Sequence, residues 1–172
     1  MCAAKLRGMD DIEELGLLMK AAMREAERRI NEALRPLHLT ACQAEVLDLL
    51  DRYGVMSLGD LGALMVAEGG HPSRLIDRMV QAGLVSRQSA GDDRRRLELL
   101  PTDRGRALSA QARAAKEPFR DWVRSQIEGS DLGPVRDFFA TFLAGTEMEE
   151  TVRQRREKAK NEPPRGAIAS KK

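Results

Sequence analysis

The stretch from Gly69 to Gly83 constrains this chain most. After the breaker pair Gly69-Gly70, the sequence predicts a short helix over 72–82 with two unlike faces. Leu75, Ile76, Met79 and Val80 form one face; Arg74, Asp77, Arg78 and Gln81, spaced i, i+3, i+4 and i+7, form the other. Pro72 suits the first helical position, where its missing N–H costs nothing, and Gly83 closes the helix. Upstream, the capping-box pattern Thr40-Ala41-Cys42-Gln43 opens a helix carrying Val46, Leu47 and Leu50, which ends at Tyr53-Gly54. Ser57-Leu58-Gly59-Asp60 opens another, with Leu58, Leu61, Leu64 and Met65 on one face, broken by the glycine pair. Two short helices joined by a tight Gly-containing turn, the second with a long polar face, describe a helix-turn-helix.

A hairpin follows, with short strands over 84–88 and 97–100 and a loop over 89–96 that contains Gly91, Asp92 and Asp93. Arg94-Arg95-Arg96 directly after the tip are not needed for folding. A thin basic finger beside a basic helix suits phosphate contact and minor-groove insertion. Pro101 is expected to stop the second strand, and Thr102-Asp103 to start a helix striped by Leu108, Ala112, Ala115, Phe119, Trp122 and Ile127, which Pro118 kinks or interrupts. After the boundary Gly129-Ser130-Asp131, a last helix begins with Val135, Phe138, Phe139, Phe142 and Leu143. At the other end, Ile12, Leu15, Met19, Ala22, Ala26, Ile30, Ala33 and Leu37 predict a long helix over 10–37. Alone it would be marginal in water, so it docks on the chain's own core or on a second subunit. The same two alternatives hold for the aromatic residues concentrated in the C-terminal third.

Composition narrows the function. The chain has 172 residues, 42% of them apolar and 33% charged, enough for a folded core. No apolar run reaches a membrane span, and the N-terminal MCAAKLRGMDD has no apolar export region, so a cytoplasmic protein is expected. Cys2 and Cys42 are the only cysteines, His38 and His71 the only histidines, so neither a disulfide scaffold nor a metal cluster is expected. No nucleophile–base pair, carboxylate dyad or phosphate loop is legible; an enzyme is disfavoured and no cofactor is implied. The net charge of +2 conceals segregation: −4 over residues 1–68, +3 over 69–106, −3 over 107–150 and +6 over 151–172. Such blocks are nucleic-acid footprints only where they share a face, and solvated surface otherwise.

Taken in order, Leu39-Thr40-Ala41-Cys42-Gln43, Leu58-Gly59-Asp60-Leu61, Ser73-Arg74-Leu75-Ile76-Asp77-Arg78-Met79, Gly83-Leu84-Val85-Ser86-Arg87, Asp93-Arg94-Arg95 and Thr102-Asp103-Arg104-Gly105 resemble the MarR family of bacterial winged-helix transcription factors. The resemblance implies a mainly α fold with a small β-hairpin. It assigns a dimerisation helix over 10–37, a winged helix-turn-helix DNA-binding lobe over 38–101 and C-terminal dimerisation helices over 102–160; the composition of 161–172 itself predicts a disordered tail. The resemblance further implies a homodimer on a palindromic double-stranded operator, most often as a repressor, with the 72–82 helix in the major groove and the hairpin in the minor groove. The family commonly releases DNA on binding a small aromatic or phenolic effector between its dimerisation helices and DNA-binding lobe; no residue here singles out that pocket. Pro101 stands where the family usually has an aliphatic strand residue, which predicts a shortened second strand. The turn over Glu68–Pro72 is one residue longer than in many members.

For the site, Arg74 and Arg78 are the expected major-groove contacts, since arginine pairs bidentately with a guanine edge; salt bridging to Asp77 or phosphate contact is the alternative. Ser73 is expected on a phosphate at the helix N-terminus, and His71 on a base or phosphate. In the wing, the family's Asp-x-Arg motif falls on Asp93 and Arg95, with the carboxylate orienting the inserted arginine. Arg94 is the substitute contact, and Arg96 flanks the strand and touches phosphate at most. Cys42, near a helix N-terminus, is a thiol redox sensor or a small buried hydrophobe. The alternatives to a DNA-binding regulator under effector control are one under redox control through Cys42, and a winged-helix module for protein or RNA.

Overall fold

The computed structural model describes residues 10–67, 71–90 and 93–161, without the side chains of Ala90 and of residues 93–96. Helix α1, Asp11–Leu34, starts from an Asp10 capping box, with the Asp10 carboxylate accepting the Ile12 and Glu13 N–H groups at 2.8 Å. It stops three residues short of the expected end: Pro36 holds Arg35–Leu37 in a 3-10 turn, and His38 closes it at φ 52°. Helix α2, Ala41–Tyr53, and helix α3, Leu58–Leu64, carry the expected capping boxes at Thr40/Gln43 and Ser57/Asp60. Helix α3 ends at Leu64, before the Gly69-Gly70 pair expected to break it; those two glycines lie outside the described residues, as do Cys2, Glu68, Gly91, Asp92 and the tail from residue 162.

Helix α4, Pro72–Gln81, ends in a Schellman motif. Gly83, at φ 67°, donates its N–H to Val80 O, and Leu84 donates to Met79 O, both at 2.9 Å. The chain then enters strand β2, Val85–Ala90, paired antiparallel with β3, Asp93–Pro101. Both strands outrun the expected 84–88 and 97–100, and Pro101 does not shorten the second, since it sits opposite Val85. A proline is tolerated there because it ends the strand, beyond the reach of the other neighbour, and Thr102 N continues the ladder to Leu84 O. That other neighbour is a strand the sequence reading missed: β1, Met56–Ser57, pairs with Leu99 and Glu98, so the sheet runs β1-β3-β2.

Helix α5, Asp103–Ala115, and helix α6, Glu117–Ile127, are separated at Lys116, with Pro118 in the first turn of the second. The proline interrupts the predicted helix, as one of its two expected effects. Helices α7, Gly133–Leu143, and α8, Glu147–Lys160, stand where one last helix was expected; Gly145, at φ 77°, makes the break.

The core lies within α2, α3, α4, the sheet and α5, joined by Leu34 and Leu39. Leu47, Leu50, Leu61, Leu64, Ile76, Met79, Val85 and Leu99 are almost wholly buried. Each such side chain contributes about 1.5–3 kcal/mol by leaving water. Arg113 ties α5 to α2 through Asp51 at 2.6 Å and donates to the buried Ser109 hydroxyl at 3.0 Å. Burial lowers the pKa of the Lys116 ammonium at the α5–α6 joint.

Candidate nucleic-acid interface

Helix α4 buries Leu75, Ile76 and Met79 and turns Ser73, Arg74, Asp77, Arg78 and Gln81 outward. Its division into faces follows directly from the apolar spacing, because a helix brings i, i+1 and i+4 positions to one side when they are packed. His71 occupies the N-cap in extended conformation, and its imidazole makes no capping hydrogen bond. Ser73 is exposed in the first turn beside it, where the N–H groups point outward.

Asp77 is engaged, though by neither arginine of its own helix. Arg87 on β2 reaches it at 2.7 Å and so joins the outer face of α4 to the root of the hairpin. The alternative pairing of Asp77 with Arg74 or Arg78 is absent: among the described residues, neither guanidinium enters an ion pair, and both stay on the exposed face. Arg87 is the site residue that sequence reasoning missed. Its only signal was a cation two residues into a strand, ten residues after Asp77.

The hairpin carries its arginines in an irregular place. Ser89 pairs with Leu97 and Ala90 with Asp93, so the backbone of Arg94, Arg95 and Arg96 has no counterpart on β2. A bulge of this kind bends the strand and re-aims what it carries. The side chains of Asp93, Arg94, Arg95 and Arg96 lie outside the described residues, as does the Gly91-Asp92 tip.

The start of α5 fixes the hairpin against α4. Thr102 caps α5 by accepting the Gly105 N–H at 3.0 Å, and its hydroxyl donates to Gly83 O at 2.7 Å. Arg104 donates to Ala82 O at 3.0 Å, so two side chains hold the α4–β2 corner. Gly105 is obligatory for packing, since a Cβ there would stand 2.1 Å from Leu84 O. Helix α4, the hairpin root and α5 are thereby locked as one unit.

Elsewhere, Cys42 is partly buried against the core on α2. Between α2 and α8 lies a cavity of about 440 Å³, bordered by Asp48, Arg52, Tyr53, Val66, Arg155 and Arg156. The basic run over 153–160 belongs to a separate helix and is not uniformly solvated: Arg153 pairs with Glu150 at 2.6 Å and Glu157 at 2.7 Å, whereas Arg155 turns inward to Glu45. Among the described residues no group of three or more His, Cys, Asp or Glu could hold a metal, and no helix is long and apolar enough to cross a membrane.

A capped two-helix unit whose second helix presents a polar face, followed by an antiparallel hairpin, is a winged helix-turn-helix. Residues 39–97 match the model of the MarR family. The uncharacterized HTH-type transcriptional regulator YcgE of Bacillus subtilis is 30% identical over 96 residues, 56% of this chain and 58% of that protein, so the match spans less than two thirds of that relative. The multiple antibiotic resistance protein MarR of Escherichia coli is 29% identical over 59% of this chain and 71% of its own. A crystal structure of an E. coli MarR mutant complexed with operator DNA superposes with a TM-score of 0.62 at 24% identity, over 77% of this chain and 93% of that one. The organohalide sensing RdhR regulator in its 2,4-dichlorophenol bound form gives 0.68 at 16% identity, over 85% and 90%. Over residues 39–97 the chain therefore carries a MarR-family domain, and its winged helix-turn-helix fold is shared with those solved structures.

Proposed function

We propose that this protein is a homodimeric, sequence-specific DNA-binding repressor that acts in the cytoplasm on a palindromic operator. Helix α4 enters the major groove with Arg74 and Arg78, and the hairpin reaches the minor groove with Arg95, oriented by Asp93 and seconded by Arg94. Ser73 and His71 serve the phosphates at the α4 N-terminus, and Arg96 touches phosphate at most. The observation that carries this reading is the outward face of α4: two arginines that enter no ion pair among the described residues stand beside a hairpin root held to the same helix by Arg87 and Asp77. Arginines left unpaired keep their donors for base edges and phosphates. A related fold complexed with operator DNA supports the same assignment.

The twofold partner follows from what the chain leaves uncovered. Helices α6 and α7 bury no residue, and Phe138, Phe139 and Phe142 remain exposed together. A dimer places its two recognition helices one helical turn apart on the duplex. Release by a small aromatic effector would use a crevice between the flanking helices and the DNA-binding lobe, where the α2–α8 cavity lies; the organohalide sensing regulator of similar fold is described in a 2,4-dichlorophenol bound form. A ligand acts there by favouring the dimer geometry with wrongly spaced helices.

Selection of genomic fragments with the purified chain, followed by binding titrations against random competitor at several salt concentrations, tests the reading. A preferred palindrome is expected, with Arg74→Ala and Arg95→Ala each weakening it by about 1–3 kcal/mol. A monomeric chain, or one that prefers no sequence, overturns it; preference for RNA would point instead to an RNA-interaction module.

A further inference from the structure

We infer that Glu45 on α2 and Arg155 on α8 are positioning residues for DNA recognition, a clasp through which the C-terminal helix sets the turn leading to α4. The inference rests on the reading above that α4 meets DNA.

The turn after α3 lacks the residues that usually finish a helix. Met65, Val66 and Ala67 follow Leu64, and Met65 is extended at ψ 134°, so no left-handed glycine satisfies the last carbonyls. Met65 donates back to Gly62 O at 3.2 Å, but the backbone groups next to it in this turn are satisfied from outside. Glu45 Oε1 accepts the Val66 N–H at 3.1 Å, and Glu45 Oε2 accepts the Ala67 N–H at 2.8 Å. Arg155 completes the arrangement from the opposite side: its Nη2 pairs with Glu45 Oε1, and its Nε donates to Leu64 O, in the last turn of α3. The Glu45 side chain is only 15% exposed, which weakens the competition from water. One carboxylate and one guanidinium thus bind two donors and one acceptor of the same turn.

The sequence separations give the arrangement its meaning. Glu45 and Arg155 are 110 residues apart, and Arg155 and Leu64 are 91 apart. The clasp is the point where α8, packed also against α7, grips the helix-turn-helix. A change in where α8 sits must either carry the turn with it or leave a largely buried carboxylate and the Leu64 carbonyl short of a partner, which is costly. The cavity between α2 and α8 is bordered by Val66 and Arg155, so the clasp also lies at its edge.

Three single variants of the full chain test this: Arg155→Met keeps the stem and loses the donors, Glu45→Gln loses the charge, and the exposed Arg156→Met removes the same charge one position further along α8. In Arg155→Met, amide hydrogen exchange at Val66 and Ala67 should quicken about tenfold or more, as expected for losing a charged hydrogen-bond partner, while Leu47 and Ile76 stay protected. Affinity for a duplex selected with the wild-type chain should fall about tenfold, against less than about twofold for a random duplex, because only base readout needs the helix in register. The Glu45→Gln/Arg155→Met double variant should be no worse than the poorer single one. Arg156→Met should leave exchange unchanged and weaken both duplexes alike. Unchanged exchange in Arg155→Met, or equal weakening on both duplexes, overturns the inference. If the wild-type chain selects no duplex, the DNA reading fails and the positioning role with it, whereas exchange still reports whether the clasp holds the turn.

Discussion

The stretch from α2 to α5 and the helices that flank it solve the burial problem in opposite ways. In the first, every element places at least one side chain in a common core, and polar ties such as Arg113–Asp51 and Thr102–Gly83 close its corners. In the second, α1 buries only Leu34, α6 and α7 bury nothing, and Ile12 is 77% exposed. The flanking helices are no less apolar in pattern. Most of their apolar stripes stay uncovered among the described residues, although α1 seats Leu34 and Ile30 on the core and α8 packs on α3. The three phenylalanines of α7 make the point: they contact one another, at ring-centroid distances of 5.4 and 6.1 Å, and still face outward.

Substitution in the core region gives the largest expected effect. Gly105→Val should cost about 3 kcal/mol or more in chemical denaturation, because its Cβ meets a backbone oxygen that cannot retreat, and Leu47→Ala about 2–5 kcal/mol by leaving a cavity. If either were neutral, the contrast between a closed core and open flanks would collapse. Next comes the pair Phe138→Ser and Phe142→Ser. Together they should raise the dimer dissociation constant by at least about a hundredfold, seen by sedimentation, through loss of about 2.7 kcal/mol or more of interfacial anchoring. The core residues should keep their hydrogen-exchange protection in that variant; a chain that stayed dimeric would move the interface elsewhere. Smaller is Thr40→Ala, which removes the acceptor of the Gln43 N–H and should cost about 1 kcal/mol.

The smallest effect is a pH dependence in α1. Hydrogen bonds from Arg28 and then Arg29 lower the Glu25 pKa to about 2. A carboxylate with a depressed folded-state pKa adds stability that is full above its unfolded value, about 4.3, and is lost as pH falls toward 2. Helicity of α1 should therefore be flat from neutral pH down to about 5 and then decline, with Glu25→Gln removing the pH-dependent share. Since Glu25 is exposed, the amplitude should shrink in high salt; an amplitude indifferent to salt would contradict the assignment.

Much of the core region was legible in the sequence. Thr40 with Gln43 and Ser57 with Asp60 announced two helix starts, and Leu75, Ile76 and Met79 announced the inner face of α4. These signals lie within four residues of one another, the reach of a helical turn. Misreadings fell where the deciding partner was distant. The end of α3 was sought at Gly69-Gly70, but Glu45 and Arg155 finish it after Leu64. Pro101 does stop the strand, as expected, but as its last paired residue opposite Val85, so the expected shortening does not occur. Strand β1, two residues long, has no periodicity to detect. The break at Gly145 was overlooked because the apolar pattern of α7 runs into a charged stretch that reads equally well as a continuation.

For the candidate site, the sequence placed Arg74, Asp77 and Arg78 on one helical face and three arginines beside a hairpin tip. It could not say that Asp77 would belong to Arg87, nor that the Arg94–Arg96 backbone would occupy a bulge. By itself, then, the chain's residue order determined which segments become helices, where most of them start, and which faces are apolar, because those choices are made by contacts a few residues apart. Only the tertiary structure decided which apolar faces find a partner within the chain and which charges are consumed in pairs. Those outcomes depend on groups 10 to 110 residues away, brought within hydrogen-bond range by the packed core.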